Sequence, residues 1–289
     1  MPGESWSALR RLMAARRVLV NNALCLDEAR RLKPGEIVEV SVWAQSPPPT
    51  AADVRVAWLD TAVVVVDKPA GMTTLRHGAE RDWSSERKTR QPALDDVLPE
   101  LIARREHLDR APAPNVFSVH RIDRETSGLL VFARTVLAQQ ALITKFKAHL
   151  VERTYLAVAQ GEVIAQTFES RLVEDRGDGR RGSTSLPGAG KRAVTHVRPL
   201  EYLAGWTLLE CRLETGRTHQ IRIHLSEAGH PVYGDSKYGP LSPSVEAGRT
   251  GRLALHAATL SFDHPSDGLR LSFESQPPKD FEELVARLR

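Results

Sequence analysis

The densest polar cluster in the chain is His120-Arg121-Ile122-Asp123-Arg124-Glu125-Thr126-Ser127-Gly128, set between two strongly apolar segments. Loops carried by rigid strands are where reactive groups are usually sited. Arg121 and Arg124 flank Asp123, and adjacent positive charge keeps a carboxyl ionised, the form that either a nucleophile or a base needs near neutral pH. A charged hairpin turn with a local ion pair accounts for the same residues. For an isolated Asp-Arg pair that plainer reading would win, because surface ion pairs are common and weak.

A second cluster, residues 215–224, reads TGRTHQIRIH. A helix starting near Thr218 puts Ile221 and Leu225 on one face and Arg222 one turn on from Thr218, while its N-terminus and Arg217 make an anion site that suits phosphate. An N-cap followed by an ordinary amphipathic helix fits equally well. His219, His224 and His230, with Asp123 or Asp235, invite a metal reading. His219 and His224 are five positions apart, however, and two ligands on one helical face stand four apart, so no metal is expected. Tyr155 alone reads as a half-buried strand residue with its hydroxyl at the rim. The GAGKR at 188–192 lacks the earlier glycine and the Ser or Thr after lysine that a phosphate-binding P-loop requires.

Positioning these residues falls to the elements around them. Residues 7–17 predict a short basic amphipathic helix, and two strands broken at Asn21-Asn22 follow. Lys33-Pro34-Gly35 is a turn before the apolar positions Ile37, Val38, Val40 and Val42, so 5–44 form a helix-plus-hairpin unit. Consecutive prolines make 47–53 a stiff linker, dividing the chain into a unit at 1–46 and a domain at 54–289. Within that domain the patterning predicts strands at 54–66, 115–119, 129–133, 154–159, 193–197, 206–213, 253–262 and 269–273. Helices are predicted at 93–105, 137–150, for about ten residues after the TGRTHQ turn, and at 280–288. The polar stretch 77–90 and the glycine-rich 175–191 read as loops, the places where substrate choice would reside. Strands and helices without regular βαβ alternation argue for an α+β domain around a mixed, largely antiparallel sheet.

Composition narrows the class. The chain has 289 residues, 41% hydrophobic and 26% charged, as a globular protein does. No apolar run approaches the roughly 18 residues that cross a bilayer, and arginines interrupt the N-terminal segment where a secretory signal would be apolar, so a cytoplasmic location and no membrane partner are expected. Cys25 and Cys211 lie far apart with no metal-ligand spacing and read as inert thiols. A net charge of +4, carried mostly by arginine, permits a polyanionic partner. With no long exposed apolar surface in the pattern, a monomer is expected.

Taken in order, HRIDRETSGLLVFART, RTYLAVAQGEV, TGRTHQIRIHLSEAGHPVYGDSKYG and RLALHAATLSFDHP closely resemble the RluA-type family of RNA pseudouridine synthases. The resemblance begins near VVVVDKPAGM and covers most of 54–275. More weakly, RRVLVNN and RLKPGEIVEV resemble the latter part of an S4-type RNA-binding domain lacking its first helix. The family resemblance implies isomerisation of uridines in structured RNA, ribosomal RNA favoured and transfer RNA possible, without cofactor or metal. It places the essential aspartate at Asp123, where a carboxylate can attack or stabilise a sugar centre or take a sugar proton. It makes Arg222 that aspartate's basic partner and Ile221 a wall of the base pocket. It makes Tyr155 the aromatic that stacks on the flipped uracil and takes part in losing the C5 proton. Arg121 becomes the arginine that fills the vacated space. From the two polar clusters themselves, His120 and Arg217 are expected as further substrate-binding residues. The rival reading is an RNA-binding or ribosome-assembly protein of the same fold without turnover.

Overall fold

The computed structural model describes residues 5–20, 23–32, 34–41, 44, 47–76, 78–108, 114–239 and 252–289. Asn21-Asn22, Lys33, Val42, His77 and residues 45–46 of the expected features lie outside them. Among the described residues six α-helices run in chain order: α1 (Trp6–Ala14), α2 (Ser85–Arg90), α3 (Leu94–Arg105), α4 (Val136–Lys147), α5 (Gln220–Glu227) and α6 (Lys279–Leu288). The strands are β1 (Val18–Val20), β2 (Ala23–Leu24), β3 (Val38–Val40), β4 (Arg55–Leu59), β5 (Val63–Lys68), β6 (Phe117–Ser118), β7 (Ser127–Ala133), β8 (Glu152–Gln160), β9 (Gln166–Val173), β10 (Gly182–Ser183), β11 (Lys191–Leu203), β12 (Trp206–Leu213), β13 (Leu255–Asp263) and β14 (Arg270–Glu274).

The N-terminal helix and a three-stranded sheet, ordered β2-β1-β3, close around Val18, Val20 and Cys25, against which Leu12 and Met13 of α1 pack. Everything after the prolines is organised by one 11-stranded sheet, ordered β10-β9-β11-β12-β8-β13-β7-β5-β4, with β14 on β13 and β6 on β7. Among the described strands every pairing is antiparallel except β13 with β7, where His256 meets Ser127 and Ala257 meets Gly128. The architecture is α+β with a mixed, largely antiparallel sheet.

Period-two alternation divides the core between the two faces of the sheet. Strand β5 sends Val64 and Val66 to a core shared with Leu98 of α3, Leu225 of α5 and Phe281 of α6. Its Val63 and Val65 go to the other face, with Leu142 of α4 and Phe262 of β13. This is why β5 and β7 read as unbroken apolar runs: both faces are covered. Each such fully buried valine or leucine is stabilised by about 1.5–3 kcal/mol.

Several boundaries differ from the sequence reading. The loop expected at 77–90 contains α2, an all-polar SERKTR helix with no apolar period to betray it, started by Ser84 accepting from the Arg87 N–H. Strand β9 was hidden because QTFESRLV alternates only weakly, and β10 lies inside the stretch expected to be loop. The strand expected at 115–119 contracts to Phe117–Ser118. Helix α5 starts at Gln220 instead of Thr218, after His219 adopts a left-handed φ of 59°.

Candidate active site

The loop between β6 and β7 carries Asp123, and an unusual amount of polar bonding fixes it. Thr74 donates its hydroxyl to the Ile122 carbonyl at 2.7 Å, immediately before Asp123. The Gly71 N–H donates to the Arg124 carbonyl at 2.7 Å, and Arg124 Nε returns a bond to the Gly71 carbonyl at 3.1 Å. Lys68, fully buried at the end of β5, donates its ammonium to the carbonyls of Met72 at 2.8 Å, Pro69 at 2.9 Å and Arg124 at 3.1 Å. Burial pulls this ammonium down to about 7, with Glu125 and Asp123 opposing. Two loops, 69–74 and 119–126, are thereby tied into one platform.

Arg222 of α5 reaches this platform. Its Nη1 donates to Asp123 Oδ2 at 3.0 Å, while Nε and Nη2 fork onto Asp235 Oδ2 at 2.7 Å and Oδ1 at 2.9 Å. The fork is the bidentate geometry that a planar guanidinium favours. Asp235 Oδ1 also accepts the backbone N–H groups of Lys237 and Tyr238, at 2.9 and 3.0 Å. Burial raises Asp235, but the Arg222 bonds and charge and these two N–H groups outweigh it and hold the carboxyl below its usual range. Burial likewise disfavours the Arg222 cation, and the two carboxylates more than restore it. One guanidinium therefore holds Asp123 in place and is itself held by a wholly buried acid.

Tyr155 on β8 is 7% exposed and faces the same pocket, a cavity of about 420 Å³ shared with Asp123, Ile221 and Arg222. Burial raises its phenol, Arg153 opposes and Asp123 adds to the rise, so the hydroxyl stays protonated near neutral pH. Ile221, 4% exposed, supplies an apolar wall. His219 Nδ1 bonds the Tyr238 hydroxyl at 2.8 Å, and its Nε2 stands 3.8 Å from Asp123 Oδ1. Burial pulls this imidazole down to about 4 against the pull of Asp123, so it is neutral at pH 7.

The remaining expected residues are placed as follows. Arg121 is exposed, lines the pocket and makes no hydrogen bond or ion pair with any described residue. His120 also lines it, but its Nε2 accepts the Val131 N–H at 3.1 Å and its ring stacks on Phe146 at 4.6 Å, so its visible task is to hold the loop. Arg217 sits at the rim, where Nε donates to the Arg192 carbonyl at 3.0 Å. The anion site expected there is altered, because the Arg217 N–H already donates to Gln220 Oε1 at 3.0 Å. His224 bonds Thr195 and Ser170, and His230 bonds the Gln160 carbonyl. Among the described residues no three His, Cys, Asp or Glu side chains are grouped as a metal would need. Sequence reasoning missed Asp235 as the anchor of Arg222, having weighed it only as a metal ligand, and missed Lys68 and Arg153 altogether.

A carboxylate steered by a guanidinium, a protonated phenol beside it, an apolar wall and arginines at the mouth together suit a planar uncharged ring on a polyanionic strand. Comparison with known proteins points the same way. A family model described as RNA pseudouridylate synthase matches residues 62–227. The ribosomal large subunit pseudouridine synthase D of Neisseria meningitidis is 39% identical over 253 residues, covering 84% of this chain and 63% of that protein. The chain thus spans a little under two thirds of that relative's length. An uncharacterized RNA pseudouridine synthase of Bacillus subtilis is 35% identical over 280 residues, covering 94% of this chain and 86% of its own. The solved structure of human RNA pseudouridylate synthase domain containing 4 superposes with a TM-score of 0.64 at 26% identity, covering 81% of this chain and 92% of that one.

Proposed function

The chain belongs to the RNA pseudouridylate synthase family, and from that premise we propose that it isomerises particular uridines in structured RNA to pseudouridine. Ribosomal RNA is the favoured substrate, by analogy with relatives named for the large ribosomal subunit, and transfer RNA is the second choice. The observation that carries the reading is the Asp123–Arg222–Asp235 chain of bonds opening into the pocket that Tyr155 and Ile221 line.

The target base must leave its stack to reach a pocket of this depth, and stacking on the Tyr155 ring compensates part of that cost. The N1 to C1′ bond then breaks, with positive charge developing at C1′. The Asp123 carboxylate, aimed by Arg222, serves that centre, whether by attack, by its field or by taking a sugar proton. The uracil turns while held between Tyr155 and Ile221, and C5 joins C1′. C5 loses a proton and N1 gains one, so product and substrate have the same composition and no co-reactant is consumed. The Tyr155 hydroxyl, protonated in the pocket wall, takes part in the loss of the C5 proton. Arg121, unpaired at the mouth, is free to fill the gap in the RNA.

The test is pseudouridine mapping by carbodiimide-dependent primer extension across ribosomal and transfer RNA, in cells with and without this gene and with Asp123→Asn restored. A site that vanishes with the gene and stays absent with Asp123→Asn is expected, with RNA affinity of the variant within a few-fold. No lost site, with sound RNA binding, would favour the non-catalytic RNA-binding reading instead.

A further inference from the structure

Among the described residues three arginines are buried, and two of them have carboxylate partners. Arg222 has Asp123 and Asp235, and Arg76 has Asp96. Arg153, only 7% exposed, pairs with no carboxylate and makes no side-chain hydrogen bond among the described residues, and its Nε is sealed from solvent without an acceptor. A guanidinium cannot shed its proton to escape this. Burial pulls it down from the usual arginine range, and its charge helps burial drive the His120 imidazole to about 3.

Its position is as telling as its lack of a partner. Along β8, Arg153 and Tyr155 are two residues apart and so point to the same face, about 7 Å from one another along the strand. The guanidinium lies 5.3 Å from the centre of the Phe146 ring and borders Gly216, where a Cβ would collide with Nη1. Lys147, His149 and Arg217 also line the pocket, and among the described residues Asp123 is the only acid in its lining. The pocket lining thus combines apolar and aromatic side chains suited to a base with basic ones, among them a buried cation that lacks an anion.

We propose that Arg153 seats a backbone phosphate of the RNA, the one belonging to the nucleotide whose base lies on Tyr155. The proposal rests on the pseudouridine-synthase reading and adds to it a residue that binds the strand, not the base. Phosphate oxygens supply the acceptors that Nε and the terminal nitrogens lack, in the fork geometry arginine favours. A cost follows for the empty protein: an unpaired buried charge destabilises it, so Arg153→Met should melt no lower than the wild type. A purely structural cation would melt lower when removed.

The direct test follows the Arg153 Nε–H signal by nitrogen-15 NMR of the full chain, assigned by its loss in Arg153→Met, during titration with inorganic phosphate, uridine and uridine 5′-monophosphate. Phosphate and the monophosphate should shift it, uridine should not, and the monophosphate should bind roughly tenfold or more tightly than uridine, a preference that Arg153→Met removes. Equal effects of uridine and its monophosphate, or no shift with any of the three, would overturn the assignment. Failure of the parent reading appears separately, as wild-type protein that forms no pseudouridine while these titrations succeed.

Discussion

Asp235 does not line the pocket, yet the geometry makes it the residue on which the aspartate's orientation depends. In Asp235→Asn the side chain keeps its shape, and its oxygen can still accept from Lys237 N, Tyr238 N and Arg222 Nη2. Its amide nitrogen then confronts Arg222 Nε, donor against donor, where a 2.7 Å bond stood. The guanidinium is 5% exposed and loses half of its compensation. Breaking a buried pair by removing one partner costs about 3–5 kcal/mol; the retained oxygen puts this variant near the lower figure, about 3 kcal/mol. For a domain of this size that is a fall in melting temperature of roughly 6–12 °C. Arg222 left to rotate misaims Asp123, and a displacement of about 1 Å costs roughly a hundredfold in rate, so kcat should fall far more than KM rises. The pH dependence has a definite sign. Because the folded-state carboxyl lies below its ordinary 3.8, the wild type loses this stabilisation as pH falls from that value, while the asparagine variant has none to lose. The deficit is therefore full at pH 7 and shrinks in acid below about pH 4. Differential scanning calorimetry at two pH values with single-turnover kinetics on a mapped RNA site reads all three effects. A variant melting within about 2 °C of wild type with undiminished kcat would refute the argument.

Lys68→Met leaves the Pro69 and Met72 carbonyls without a donor and takes one of two bonds from the Arg124 carbonyl, and should cost about 3 kcal/mol, measured by denaturant unfolding at pH 7. With the folded-state ammonium at about 7 against an ordinary 10.5, the unfolded chain binds the extra proton between those values, so wild-type stability should rise across that window and the Met variant should lack this rise. Gly128 has a φ of 110°, and a Cβ there would strike the Ala257 backbone at the parallel junction of β7 and β13; Gly128→Ala should lose about 3 kcal/mol or more, read by the same unfolding curves. Deleting residues 1–46 removes the Asp27–Arg87 ion pair and a small core of its own, and should leave a folded 54–289 domain that binds RNA more weakly with a shallower salt dependence in filter binding. Unchanged affinity would show the N-terminal unit to be dispensable.

What could be read from the sequence, and what could not, follows from how local each feature is. Asp123 is legible because its environment is spelled out within a few residues, and β5 and β7 because sheets covered on both faces leave unbroken apolar runs. Helix α2 has no buried face to imprint a period, and β9, inside the sheet yet largely polar, imprints a faint one. The site's second half is non-local. Arg222 and Asp123 are 99 positions apart, and Lys68 and Arg124 are 56 apart, so their bonds exist only once β5, β7 and α5 are docked. Asp235 sits 13 residues beyond Arg222, but it is the return of the chain after α5 that brings the fork together.

Arg153 shows the same limit from the other direction. A charged residue at the start of a strand reads as an exposed terminus, and nothing in RTYLAVAQ marks that arginine as 7% exposed with no acid to meet it. The cost of burying it falls on the empty protein, since desolvation is incurred on folding and its compensation arrives only with an anion. Loss of a carboxylate partner at that position would be tolerated only where something else supplies the negative charge, and the pocket's one acid, Asp123, is already committed to Arg222. The unpaired cation on β8 and the paired one on α5 thus face a single pocket, and Tyr155 stands two residues along β8 from the unpaired one.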